Sequence, residues 1–315
     1  MEVFDLNDLR VIQYKLDVNL KAYKLIYKEK SAGKVIVKYE NIEDISGWFI
    51  GIELNQKSRN KGIGKFAIIK ILYKNIGLKI YANVRKNNIP SRKILEAVGF
   101  EIFSETKSGQ LIYCYAPYKY DFNIISEIVW EKFYKSVLVD IVVFLGNPAK
   151  KAIRIPYKKG ENDFLTSFKQ FCYINQFYYY YDDQYIIISK LNNVKNIHCI
   201  DISDEKHVEE FGILLGYPEC CTEFMGKYDE NDIDLLEELL IKEREYIGFY
   251  KAIDFSDYYN GIALISHIPC SSICNNSLMY ALLTGLYLVN NNKIIDEYLD
   301  NLAQFIDNII LKDVI

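Results

Sequence analysis

No stretch of the chain approaches the roughly 18 consecutive apolar residues that a bilayer crossing takes, so a membrane-spanning protein is not expected. No unit of about 20–50 residues recurs, which removes solenoids and propellers, and no low-complexity linker divides the chain. Cysteine is too sparse and uneven for a secreted disulfide scaffold, with 7 in 315 residues, and a reducing compartment leaves these residues as thiols. The start of the chain carries Glu2, Asp5 and Asp8 and lacks the basic-then-apolar order of a secretory signal, so the expected address is cytoplasmic. Basic residues are not in surplus either, 38 Lys and Arg against 42 Asp and Glu, which argues against a nucleic-acid partner.

What is present is a globular composition, 50% apolar and 25% charged, over a length that suits two domains. The charge is unevenly shared. Residues 1–118 hold 20 Lys and Arg against 12 Asp and Glu, leaving 18 against 30 for residues 119–315. A basic first domain suits a phosphorylated ligand, and an acidic second one suits recruitment of a cationic or peptide-like substrate.

In the first domain Tyr23–Tyr27, Lys34–Tyr39, Trp48–Leu54, Lys79–Val84 and Leu111–Tyr115 read as strands. Gly62–Tyr73 and Ser91–Val98 read as helices, the second closed by Gly99. Pro117 marks the end of the domain. Beyond it Phe122–Tyr134 reads as a helix, Leu138–Leu145 as a strand, and Phe177–Tyr181 with Tyr185–Ser189 as a hairpin. Helical periodicity dominates Asp232–Tyr250, Ser277–Val289 and Ile294–Ile310. The expected fold class is α/β: a mixed-sheet domain followed by a second mixed α/β, mostly helical domain.

Trp48–Leu54 runs into Arg59-Asn-Lys-Gly-Ile-Gly-Lys65 and then an amphipathic helix. Such a strand, glycine-punctuated basic turn and helix start aims successive backbone N–H groups at one point, where a phosphate fits. A Cβ at Gly62 or Gly64 would hinder that approach. Neither Gly-x4-Gly-Lys-Ser/Thr nor Gly-x-Gly-x-x-Gly occurs here, so the reading is a diphosphate held by main chain alone.

Arg59-x-x-Gly62-x-Gly64, with Ile50–Leu54 before it, resembles the acyl-CoA signature and splayed strand of the Gcn5-related N-acetyltransferases (GNAT). Asn83-Val84, Asn88-x-x-Ser91-Arg92 and Leu95-Glu96-x-x-Gly99-Phe100 are similar to the next strand and helix of that family, and the match covers about the first 118 residues. The resemblance implies an acyl-CoA-dependent N-acyltransferase that moves an acetyl group from acetyl-CoA, or another acyl-CoA, to a small-molecule or peptide amine. It also implies a cofactor surface of Leu54, Arg59, Asn60, Lys61, Gly62, Ile63, Gly64 and Lys65. Backbone amides from Lys61 to Lys65 would hold the diphosphate, with Asn88 and Ser91 toward the pantetheine arm. Glu53 is the candidate base, or else a charged residue on a solvated strand face. Leu95 stands where many members carry a tyrosine, and leucine cannot protonate the leaving thiolate. Tyr73, Tyr81 and Tyr113 are the nearby substitutes, and the segment before Tyr23 is short for the helical region of the family.

Five cysteines and all three histidines fall between His198 and Cys274. Pro218 is placed to open a helix with Cys220 and Cys221 in its first turn. Cys270 and Cys274 share a face if their segment is helical. Three readings stay open. Cys220 or Cys221, with His267, Cys270 and Cys274, suits a closed tetrahedral zinc site or an iron–sulfur cluster. Alternatively Cys220 or Cys221 is a catalytic thiol, which would make the first domain auxiliary, or the cysteines are buried as small apolar residues. Gly216-Tyr-Pro-Glu-Cys-Cys-Thr-Glu-Phe224 with His267-x-x-Pro-Cys-Ser-x-x-Cys274 resembles an uncharacterised archaeal and bacterial family with a Tyr-Pro-Xaa-Cys-Cys signature, which implies that Cys220, Cys221, Cys270 and Cys274 belong to one site but supplies no activity. His198 and His207 read as structural, the tyrosines of 177–181 as sheet packing, and Asp229–Glu238 as a solvated helix start.

Overall fold

Two-residue turns organise the start of the chain. In the computed structural model, which describes residues 4–115, 120, 135–157, 160, 162–201, 207–228 and 232–291, two compact units form, one within the first 117 residues and one within those that follow. The expected helices Phe122–Tyr134 and Ile294–Ile310, Pro117 and part of the acidic stretch lie outside the described residues.

Unit 1 is a seven-stranded sheet. Its strands are β1 (Leu9–Asp17), β2 (Leu20–Tyr27), β3 (Lys30–Ile42), β4 (Ile45–Leu54), β5 (Ile80–Arg85), β6 (Phe100–Glu105) and β7 (Gln110–Tyr115). Their spatial order is β1-β2-β3-β4-β5-β7-β6. Lys28 and Glu29, at φ +48° and +60°, make the β2–β3 turn. β2 ends at Tyr27 as expected but starts three residues earlier, at Leu20, and β3 runs beyond Lys34–Tyr39 at both ends, reaching back to Lys30 because Lys-Glu is no turn signal. β1 and β6 carry no alternation that a sequence reading can find, since almost every residue of each is exposed or half-exposed.

Helices α1 (Ile63–Tyr73) and α2 (Ile89–Val98) connect β4 to β5 and β5 to β6. α1 is buried on nearly all sides, and its Lys70 is satisfied by donating to Leu9 O at 2.7 Å. Gly99 closes α2 in the left-handed conformation, φ +97°. β4 and β5 are parallel neighbours but pair only at Trp48↔Ile80 and Phe49↔Tyr81. β4 then continues to Leu54 along β3, and β5 to Arg85 along β7, without pairing each other.

Unit 2 is mostly helical, with a small antiparallel sheet of β8 (Ala152–Pro156), β10 (Tyr185–Ser189) and β9 (Tyr178–Tyr181) in that order. The β9–β10 hairpin forms as its sequence suggests, with Asp182 Oδ1 accepting from Gln184 and Tyr185 N–H. The described helices are α3 (Lys135–Gly146), α4 (Asn162–Asn175), α5 (Val194–Asp201), α6 (Val208–Leu215), α7 (Glu219–Met225), α8 (Ile233–Glu243) and α9 (Asn275–Asn290). The expected strand Leu138–Leu145 is instead the interior of α3. Val137–Val139 and Ile141–Leu145 are all buried, so apolar residues are required on every face and the helical period disappears from the sequence. The expected helix Asp232–Tyr250 stops at Glu243, with Arg244 extended and a 3-10 turn at Gly248–Ile253.

Candidate functional site

Divergence of β4 from β5 opens a cleft of about 360 Å³ in unit 1. Ile50, Gly51 and Ile52 line one side, Asn83, Val84 and Arg85 another, and Asn88, Ser91, Ile94 and Leu95 of the second helical segment a third. Asn83 lines the cleft, and its Oδ1 is buried without a hydrogen-bond partner among the described residues. Asn88 caps α2 by accepting from Ser91 N–H at 3.3 Å.

The turn after β4 is shaped by its own chain. Arg59 Nε donates to Leu54 O at 3.1 Å, tying the basic turn to the strand end. Asn60 and Gly62 follow at φ +59° and +81°. Gly64 lets α1 approach α2, because a Cβ there would lie 3.0 Å from Ile94 Cδ1. Lys65 and Phe66 N–H donate back to Gly62 O, so the Lys65 amide is not available to a ligand. The amides of Asn60, Lys61, Gly62, Ile63 and Gly64 have no protein acceptor among the described residues.

Glu53 does not line this cleft. Its carboxylate is 71% exposed and ion-paired with Lys34 at 3.0 Å, on paired residues of β4 and β3, which fits a solvated strand face. That ion pair raises the pKa of the Lys34 ammonium. Leu95 does line the cleft, whereas Tyr73, Tyr81 and Tyr113 do not. Tyr73 is buried in α1, and Tyr81 stacks on Phe49 with ring centres 5.4 Å apart. Tyr113 donates to Glu96 Oε1 at 2.7 Å and accepts from Arg92 Nε at 3.1 Å, and burial raises its pKa.

In unit 2 four sulfurs converge. Cys220 and Cys221 occupy the first turn of α7, which follows Pro218. Cys274 is the N-cap of α9, and Cys270 lies on the preceding non-helical loop rather than one turn away on a helix. Cys220 Sγ is 3.9 Å from Cys221 Sγ and 3.7 Å from Cys274 Sγ, and Cys221 Sγ is 3.8 Å from Cys274 Sγ. The four Sγ atoms, Cys270 included, lie within 4.8 Å of one another. Mutual hydrogen bonding splits their acidities, holding Cys274 well down and Cys220 at about 7 while pushing Cys221 and Cys270 up.

His267 is not part of this quartet. Its Nε2 meets Ser277 Oγ at 2.9 Å, and desolvation keeps the ring neutral, with its pKa lowered to about 3. Sequence reasoning missed Asn276 and Ser277, which reach the sulfurs. Its only available signal was the Cys274-x-x-Ser277 spacing of a helix start. Cys221 and His267 also line an apolar cavity of about 190 Å³ together with Phe211, Tyr217 and Met225. His198 lies against Tyr180 and Asp182, and His207 faces Glu210.

No family model and no curated protein matches the chain. Among solved structures it is similar to Mycobacterium smegmatis RimJ in complex with CoA-disulfide, at 19% identity over 30% of this chain and 52% of that one, TM-score 0.26. The Campylobacter jejuni N-acetyltransferase PseH is 22% identical over 31% of this chain and 68% of its own, TM-score 0.26. The ribosomal-protein-S5-alanine acetyltransferase of Vibrio fischeri is 22% identical over 30% and 60%, TM-score 0.27. The chain thus spans about half to two thirds of the length of these proteins.

Proposed function

We propose that unit 1 binds an acyl-CoA and transfers its acyl group to a primary amine. The observation that carries this reading is the cleft opened by β4 and β5, which sits next to a helix start with unspent amides. The diphosphate sits on the Lys61–Gly64 amides, where backbone donors and the positive helix end favour an anion. The pantetheine arm and acyl group enter the cleft past Asn88 and Ser91.

The neutral amine attacks the thioester carbon, the C–N bond forms, and the carbonyl oxygen becomes an oxyanion. Collapse breaks the C–S bond, the amine nitrogen gives its proton to solvent water, and the CoA thiolate takes one up from water, so that no net proton is gained or lost. Rotation of the Asn83 side chain turns Oδ1 into the cleft, where it accepts an N–H of the attacking amine and aims its lone pair at the carbon. Leu95 keeps that part of the cleft apolar and contributes no proton. Glu53, held by Lys34 outside the cleft, is not required as the base.

The test is calorimetric titration of the intact chain with acetyl-CoA, followed by thiol release in the presence of a pool of primary amines. Saturable heat, a thermal shift and amine-dependent CoA release are expected. No heat and no shift would remove the assignment, and binding without release with any amine would leave an acyl-CoA-binding module without transfer.

A further inference from the structure

The spacing of the four sulfurs discriminates between their possible uses. A disulfide places its sulfurs about 2.05 Å apart, so separations of 3.7, 3.8 and 3.9 Å leave the cysteines unjoined. An ion bound at about 2.3 Å by four thiolates at the corners of a tetrahedron produces sulfur-to-sulfur edges of about 3.8 Å. A two- or four-iron cluster distributes its cysteines over different irons and needs space for bridging sulfides. Four Sγ atoms all within 4.8 Å of one another enclose room for one ion only.

The surroundings carry the donors that thiolates accept from. Cys270 N–H points at Cys221 Sγ at 3.4 Å, and Asn276 Nδ2 at Cys220 Sγ at 3.4 Å. Ser277 gives its N–H to Cys274 Sγ at 3.4 Å and its hydroxyl to the same sulfur at 3.3 Å. Such contacts orient first-shell sulfurs and spread their charge. Arg244 fixes the loop from outside by donating to Pro269 O and, at 3.3 Å, to Cys270 O. Cys221 and Cys274 are 1% and 5% exposed, and several thiolates packed so closely repel one another unless a cation stands between them.

We infer that Cys220, Cys221, Cys270 and Cys274 form a closed mononuclear tetrathiolate site for one soft divalent transition-metal ion of the zinc class. All four ligands come from the chain, so no position is left for water or substrate. The site ties the start of α7 to the loop before α9, and its binding energy becomes folding energy for unit 2. His267 takes no part in ligation. The assignment is independent of any chemistry in unit 1.

The intact chain, purified under reducing conditions without chelator, is assayed for metal and acid-labile sulfide, and its cysteines are alkylated in the native state and mapped. One zinc or one iron per chain without labile sulfide, four protected cluster cysteines and a freely reactive Cys199 are expected. Replacement by cobalt should give the intense visible bands of a tetrahedral thiolate complex. Cys220→Ser should lose the ion while Cys199→Ser keeps it. Because Cys220→Ser can also unfold the unit, the wild-type stoichiometry and alkylation map serve as the second measurement. Metal-free protein that stays folded and takes up no zinc or cobalt, a disulfide within the quartet, or iron with labile sulfide would each overturn the inference.

Discussion

Asp140 is a half-buried and Lys150 a buried titratable group in unit 2. The Tyr258 hydroxyl donates to Asp140 Oδ2 at 3.0 Å, while Lys150 Nζ lies 3.5 Å from the centre of the Tyr217 ring without a hydrogen-bond partner among the described residues. Burial pushes Asp140 up from 3.8 to about 6 and holds Lys150 down from 10.5 to about 7. The raised carboxyl contributes stability below pH 3.8 that is lost as pH rises through 6. The depressed amine contributes stability above pH 10.5 that is lost as pH falls through 7. The two together place their least favourable window between about pH 6 and 7, where the double variant Asp140→Asn/Lys150→Met should exceed the wild type by roughly 1–3 kcal/mol. Urea midpoints across pH 5–9 check this, and a difference that does not vary with pH would refute it. In unit 1 the contrast is between Glu53 and Asn83. Glu53→Gln removes only an exposed ion pair and should leave CoA release within about twofold of wild type. Asn83→Ala removes an acceptor inside the cleft and should lower kcat/KM by roughly 10–100-fold, as steady-state assays would show. The family resemblance points to Glu53 as a base on the splayed strand, with a solvated strand face as the alternative. The register that pairs it with Lys34 becomes visible only once β3 and β4 are aligned.

At the scale of elements, the two loop glycines differ in why they are needed. Gly62 sits at φ +81°, and a Cβ there would meet only an ordinary van der Waals contact with the Phe4 ring at 3.8 Å, so Gly62→Ala should cost about 1–2 kcal/mol of backbone strain and weaken acetyl-CoA binding by tilting the neighbouring amides. Gly64 is a contact glycine. Gly64→Val drives into Ile94 and separates α1 from α2, costing roughly 1–3 kcal/mol and narrowing the cleft. Chemical denaturation paired with calorimetry distinguishes these cases, and equal and negligible effects on binding would count against the loop as the anion site. The same elements show what the sequence made legible. The β4–α1–β5–α2 run was readable because glycines punctuate it and its strands are flanked by charge. α3 was not, since a helix buried all round loses the period that identifies it, and β1 and β6 were not, since edge strands with no buried face lose theirs. The cysteine cluster was legible as a set of residue types. The four cysteines are grouped by the resemblance of their motifs, but His267 is added to them because it lies near Cys270 in sequence, whereas it turns toward Ser277.

For the whole molecule the division of charge becomes a measurable asymmetry. The first 118 residues carry 20 basic against 12 acidic side chains and the remainder 18 against 30, and Lys57, Arg59 and Lys61 are exposed in the turn that leads into α1. A polyanionic ligand held there by amides and surrounding cations gains from an electrostatic field that salt screens over about 8–10 Å at physiological ionic strength. Affinity for acetyl-CoA should therefore fall several-fold between about 50 and 200 mM salt, whereas an ion enclosed by four thiolates should keep its stoichiometry over the same range. Hydrogen exchange followed by peptide mapping locates both effects in one protein. Acetyl-CoA should slow exchange in peptides spanning residues 50–65 and 83–91, with protection fading as salt rises. Removal of metal by a chelator should speed exchange in peptides spanning residues 219–225 and 270–277 at every salt concentration. Protection by acetyl-CoA that ignores ionic strength would mean that the basic turn does not hold the diphosphate, and a chelator response absent from the cysteine peptides would separate the sulfur quartet from any bound metal.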